Sequence, residues 1–289
     1  MSAPTFRFAP SPNGRLHLGH AYSALLNASL AARWSGRLLL RIEDIDPGRS
    51  RPDLVAALGD DLTWLGLRFD GPARRQSEHM AVYRANLDGL AARGLAYPCF
   101  CSRAEVGAAA GAAAGDGAIP RDPDGAPLYP GTCRHLSHGA IAGRLARSEP
   151  HTWRLAMDRA LATAPGPHGF TAFDPDGAVR TVAADPARWG DTVIARRDVP
   201  TSYHLAVVTD DAAQGITHVV RGADLRASTD LHVLLQALLG VGAPHYHHHR
   251  LLLDAAGAKL AKSRGSQSLA DLRAQGIAPE ALRARLGFA

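Results

Sequence analysis

Thr5 to Phe8 alternates like a short strand, runs into a Pro- and Gly-punctuated turn from Pro10 to Arg15, and gives way to an Ala/Leu-rich helical pattern from His20 to Trp34. This is a strand-loop-helix opening, the unit from which an alternating α/β chain is built. "RLLLRIED" from Arg37 is a second buried-type strand. Helical patterns follow at Pro52 to Leu65 and Met80 to Arg93, which continues the alternation of a parallel sheet.

The alternation breaks between Cys99 and Arg188. There the chain holds an Ala/Gly tract, Gly107 to Ala118, then a Pro/Asp/Gly-rich stretch and Cys133. The tract has no core-forming side chains and is predicted to be mobile. After Thr201 the α/β character returns, with "YHLAVVTDD" read as a strand, "GITHVVRGADL", a helix from Thr229 to Leu239, and a strand near Arg250 to Leu253. Three segments follow: 1–97, which begins the α/β sheet, an insertion in 98–190, and 191–289, which completes the sheet.

A chain of 289 residues with 46% hydrophobic residues can bury a substantial core. It contains no apolar run of 18 residues and no apolar stretch behind Arg7, so the expectation is a cytoplasmic protein without a membrane span or secretory signal. Three cysteines, two of them at Cys99 and Cys101, fit a reducing compartment and a metal better than a disulfide framework. The net charge of +5 permits a polyanionic partner. More telling, all but two of the 32 basic side chains are arginine, and both lysines, Lys259 and Lys262, lie in "KLAKS". A compact ammonium on a flexible stem suits phosphate, whereas a guanidinium offers a fixed planar fork.

The opening loop carries "HLGH", with His17 and His20 flanking Leu18-Gly19 at the start of a helix. Glycine allows close approach of a nucleoside, the helix N-terminus attracts phosphate, and the imidazoles can donate to phosphate oxygens. "KLAKS", Lys259 to Ser263, follows the last strand. Together, an HxGH after the first strand and a KxxKS after the last resemble the two signatures of class I aminoacyl-tRNA synthetases. "RFAPSPNGRLHLGH", "RIEDID" and "VRGADL" resemble the glutamyl/glutaminyl branch, and the resemblance covers nearly the whole chain.

The resemblance implies a Rossmann-type class I catalytic core, its halves in 1–97 and 191–289, that activates L-glutamate with ATP and Mg2+. His17, His20, Lys259 and Lys262 would act on the phosphates, with Gly19 and Ser263 as further ATP contacts. Ala261 departs from the usual third residue of the second motif. Arg7, Ala9, Ser11, Glu43, Tyr203 and Arg221 would hold glutamate: the guanidiniums clamp carboxylates, and Glu43 pairs with the ammonium. "CFC" with Cys133 is similar to a zinc site in the family's insertion, for which the family pattern supplies Tyr129 as fourth ligand, with His135 as rival. The run His245, His247, His248 and His249 also invites a metal, but strand alternation would send its members to opposite faces.

Only 26 residues follow Ser263, too few for a helical anticodon-binding domain. The chain therefore resembles the shortened members of the branch, which pass glutamate to the queuosine base of tRNA(Asp), and it is expected to be a monomer. Three other readings remain: a truncated or discriminating glutamyl-tRNA synthetase charging a tRNA 3′ end, an HxGH nucleotidyltransferase, and an idle tRNA-binding paralogue.

Overall fold

The computed structural model describes residues 3–253 and 267–288. In chain order the elements are β1 (Thr5–Phe8), α1 (Leu18–Arg33), β2 (Arg37–Ile42), α2 (Pro52–Trp64), β3 (Arg74–Arg75), α3 (Met80–Ala92), β4 (Ala96–Cys99) and α4 (Arg103–Ala114). Next come α5 (His138–Ala146), β5 (Thr152–Leu155), α6 (Met157–Thr163), β6 (Gly169–Phe173), β7 (Val179–Ala183) and β8 (Val193–Ala195). The last are α7 (Tyr203–Ala213), β9 (His218–Gly222), α8 (Arg226–Leu239), β10 (His245–His249), α9 (Leu269–Ala274) and α10 (Pro279–Arg285).

The main sheet has the order β3-β2-β1-β9-β10-β6-β7 and is parallel except for the β6–β7 hairpin. β1 lies between β2, which follows it in sequence, and β9, which arrives more than two hundred residues later. The strand order reverses at β1, and in such sheets the loops leaving the carboxyl ends of the flanking strands open a ligand crevice. A second, antiparallel sheet, β4-β5-β8, stands apart. The 98–190 segment thus contributes to both sheets, since β6 and β7 join the large one.

Two apolar clusters fix the crevice. Phe8, Leu16, Ala21 and Ala24 pack with Leu58, Leu62 and Leu65 of the α2 region and with Leu269, Leu272 and Leu282. At ~1.5–3 kcal/mol per buried leucine, this layer holds the loop after β1 against the last two helices. Two backbone links reinforce it: the Leu269 amide donates to the Leu16 carbonyl at 2.8 Å, and His17 bridges Ser268. The other cluster joins Leu205 and Val208 of α7 to Leu231, Leu234 and Leu235 of α8 and to Leu155 and Ile194 of the second sheet.

Three local expectations change. "YHLAVVTDD" is the helix α7, not a strand. Its residues from His204 to Asp211 are all buried, the polar His204, Thr209, Asp210 and Asp211 included, so no solvent-facing stripe displays a helical period. The Ala/Gly tract is ordered as α4 through Ala114. Ser102 and Glu105 form a reciprocal capping box at its start, Val106 and Ala110 are buried, and alanine is the strongest helix former. The strand near the second motif is β10, which ends at His249 rather than occupying Arg250 to Leu253.

Candidate active site

The crevice at the carboxyl ends of β1 and β9 is a cavity of about 820 Å³. Arg7, Ala9, Ser11, His17, Gly19, His20, Glu43, Tyr203 and Arg221 all line it, so residues from five separate stretches of the sequence meet in one place. Lys259, Lys262 and Ser263 lie outside the described residues. The loop 9–17 is pinned to the end of β2, where the Glu43 amide donates to the Pro10 carbonyl at 3.0 Å.

The floor is a buried ionic cluster. Arg7 Nε lies 3.3 Å from Asp211 Oδ1, and the fully buried Arg41 guanidinium bonds the same carboxylate oxygen through Nη2. Arg41 Nε is also 3.6 Å from Glu43 Oε1. Burial opposes the ionised Asp211, but Arg41 and Arg7 more than offset it and hold its carboxyl below the usual range. Glu43 goes the other way: burial pushes it up to about 7, with Arg41 and Arg7 pulling it down only in part. Arg41 and Glu43 sit two apart and so face the same side at the end of β2. Neighbouring Asp210 is equally satisfied, accepting at 2.8 Å from Arg74 Nε, Gln76 Nε2 and the Tyr83 hydroxyl.

Arg221, on β9, is different. It is only 4% exposed, yet among the described residues no carboxylate forms an ion pair with it. Its donors end on neutral atoms: Tyr203 Oη at 3.2 Å, His232 Nδ1 at 3.3 Å, Thr229 Oγ1 at 2.7 Å and His248 Nε2 at 3.5 Å. A buried cation with no carboxylate in ion-pair contact is costly unless an anion completes it, so the geometry supplies a carboxylate or phosphate receptor. Tyr203 begins α7, and burial raises its phenol.

His17 caps α1 in a reciprocal box. Its Nδ1 accepts from the Gly19 amide at 3.1 Å, and His20 Nδ1 accepts from the His17 amide at 3.2 Å. With Nδ1 accepting in each ring, the ring proton sits on Nε2, which is a donor. The first turn of α1 has no acidic residue, which keeps its N-terminal field favourable to phosphate. A Cβ on Gly19 would come 3.0 Å from His17 Cε1, so a larger residue there would push the His17 ring from the helix start.

Sequence reasoning missed the groups behind these residues: Arg41 and Asp211 under Arg7, and Thr229, His232 and His248 around Arg221. Arg41 stands two before Glu43, and Asp211 ends "YHLAVVTDD", but nothing linear marks either as a partner of Arg7. Tyr22, Ser23 and His249 also line the cavity. The histidine run does alternate: His248 faces Arg221 and Thr229, whereas His247 contacts the Phe173 carbonyl and His245 packs on His218.

At the second sheet, the sulfurs of Cys99, Cys101 and Cys133 lie within 4.8 Å of one another. Cys101 Sγ is 3.5 Å from Cys133 Sγ and 3.6 Å from the Tyr129 hydroxyl, which accepts from the Cys133 amide at 2.8 Å. Tetrahedral zinc with sulfur at ~2.3 Å sets neighbouring sulfurs ~3.8 Å apart, so these donors fit such an ion. The Arg154 guanidinium lies 3.9 Å from the centre of the Tyr129 ring and holds it in place. His135 is exposed.

The family described as tRNA synthetases class I (E and Q), catalytic domain, matches residues 5–288. The chain belongs to this family. A glutamyl-Q tRNA(Asp) synthetase of Rhodobacter capsulatus is 47% identical over 98% of this chain and 99% of its own length. One from Symbiobacterium thermophilum is 43% identical over 98% of this chain and 85% of its own. Among solved structures, a glutamate tRNA ligase from Elizabethkingia meningosepticum in complex with its amino acid superposes with a TM-score of 0.77 at 27% identity, covering 99% of this chain. This chain spans 60% of that ligase. As a class I E/Q catalytic domain, the chain has the expected α/β synthetase core, and among the described residues no helix is long and apolar enough to cross a membrane.

Proposed function

We propose that the cavity activates L-glutamate with ATP, without tRNA, and that the enzyme then transfers glutamate to the queuosine base of tRNA(Asp). The observation that carries the amino-acid half is Arg221: a buried guanidinium held by neutral acceptors lacks the anion that a dicarboxylic substrate brings. Glu43 takes the substrate ammonium, Arg7 and Tyr203 flank the bound molecule, and Ala9 and Ser11 line its other side. The names of the full-length relatives support the acceptor half.

In the first step an α-carboxylate oxygen of glutamate attacks the α-phosphorus of ATP, the phosphorus–oxygen bond to pyrophosphate breaks, and glutamyl-adenylate forms. The Nε2 protons of His17 and His20 donate to phosphate oxygens, with Lys259, Lys262 and Ser263 of the second motif and the Gly19 turn completing the nucleotide site. Bound Mg2+ would neutralise pyrophosphate charge. In the second step a hydroxyl of the modified base attacks the acyl carbon and AMP leaves. Cys99, Cys101, Cys133 and Tyr129 would hold Zn2+ as a structural clamp on the second sheet.

Purified protein tests this directly by ATP–pyrophosphate exchange. Exchange that needs L-glutamate, ignores glutamine and proceeds without tRNA supports the reading. Exchange indifferent to the amino acid would point to a nucleotidyltransferase, and absent exchange to an idle paralogue.

A further inference from the structure

Arg221 and three histidines form a hydrogen-bonded set that no motif announces. His232 on α8 faces Arg221 through Nδ1 and faces His204 Nδ1, on α7, through Nε2 at 3.2 Å. A guanidinium can only donate. His232 Nδ1 must then accept, so its proton sits on Nε2, where it is donated to His204 Nδ1, and the His204 proton is in turn on Nε2. On the other side, Thr229 Oγ1 accepts from Arg221 Nη2 and lies 2.9 Å from His248 Nε2. Arg221 Nε also points at His248 Nε2, so that nitrogen accepts and the His248 proton is on Nδ1.

We infer that His204, His232 and His248 are positioning residues: neutral imidazoles, locked in these tautomers, that aim Arg221 into the cavity without cancelling its charge. The inference rests on the glutamate reading of the pocket. Carboxylates in their place would hold Arg221 as firmly but would neutralise it, and the pocket would lose its preference for a substrate carboxylate over a carboxamide. An imidazolium would be worse, since a proton on His232 Nδ1 sets donor against donor beside a like charge.

The surroundings keep the rings neutral. Burial is the largest influence on all three and pushes their pKa down, His204 and His248 to about 3. The charged and titratable groups that act on them push the same way: Arg221 from β9 on all three, Arg7 from β1 on His232, Arg226 at the start of α8 on His248, and the other imidazoles. The Tyr203 and Trp189 rings cover the remaining sides of His232 and His204.

Two measurements on the full chain test this. Long-range proton–nitrogen NMR of histidine-labelled protein, assigned with single variants, should show His232 and His204 protonated on Nε2, His248 on Nδ1, and none of the three titrating between pH 5.5 and 8. In glutamate-dependent exchange, His232→Leu removes an acceptor and should raise the glutamate KM tenfold or more with kcat changed less than threefold. His232→Gln, which restores an acceptor oxygen, should return KM to within threefold of wild type. Titration of any of the three rings, an Nδ1 proton on His232, a wild-type KM in His232→Leu, or equal impairment in both variants would overturn the inference. Wild-type protein with these tautomers but no glutamate-dependent exchange would instead overturn the reading of the pocket.

Discussion

Replacing Glu43 with glutamine should make the protein more stable at neutral and alkaline pH while damaging its affinity for glutamate. Burial pushes Glu43 from an ordinary value of 4.5 up to about 7. In the unfolded chain the carboxyl loses its proton near 4.5, whereas in the folded protein it keeps it until about pH 7. The protonated form therefore favours folding. That contribution is complete below pH 4.5 and is lost as pH rises through 7. At ~1.4 kcal/mol per pKa unit, the ionised carboxylate costs about 3 kcal/mol at pH 8. Glutamine copies the protonated form, so Glu43→Gln should match wild type in urea unfolding at pH 4.5 and exceed it by about 3 kcal/mol at pH 8. If the ammonium of the substrate binds ionised Glu43, the wild-type glutamate KM should fall about tenfold between pH 6 and pH 8, as the ionised fraction grows. The variant should lose that dependence. A variant no more stable than wild type at pH 8, or a wild-type KM flat across pH 7, would refute the reasoning.

Asp211→Asn leaves the buried Arg7 and Arg41 without their shared counter-charge and should cost on the order of 3–5 kcal/mol in denaturant unfolding. Lys262→Ala should slow glutamate-dependent pyrophosphate exchange on the order of 10²- to 10³-fold, as loss of one preorganised phosphate donor does. Elemental analysis should find about one zinc per chain, lost in Cys133→Ser. Loss in Tyr129→Phe but not His135→Ala would support Tyr129 as the fourth ligand.

What the sequence revealed was local. β1, β2, α2 and α3 carry their periods and breakers openly, and the HxGH turn is spelled by neighbouring residues. α7 shows no helical period because both of its faces are covered, by α8 and α3, and its polar residues are buried with the rest. α4 is hard to see because alanine and glycine carry little hydrophobic pattern, and Ser102 with Glu105 is its one linear signal. The charged floor was hidden for another reason. Arg7 and Arg41 meet because β1 pairs with β2, and Asp211 reaches both from α7, the helix that leads into β9; linear spacing says nothing of partners two hundred residues apart. The same holds for His204 and His232, which look like helix-core histidines until Arg221 stands between them and the cavity.

The acceptor tests the whole account most directly. Labelled glutamate should be offered to the enzyme with ATP and tRNA pools that contain or lack queuosine, and the labelled nucleotide then identified. The account predicts label on tRNA(Asp), confined to the queuosine base and absent from queuosine-free pools. Label on the terminal ribose of tRNA(Glu), with queuosine-bearing tRNA(Asp) unlabelled, would contradict it.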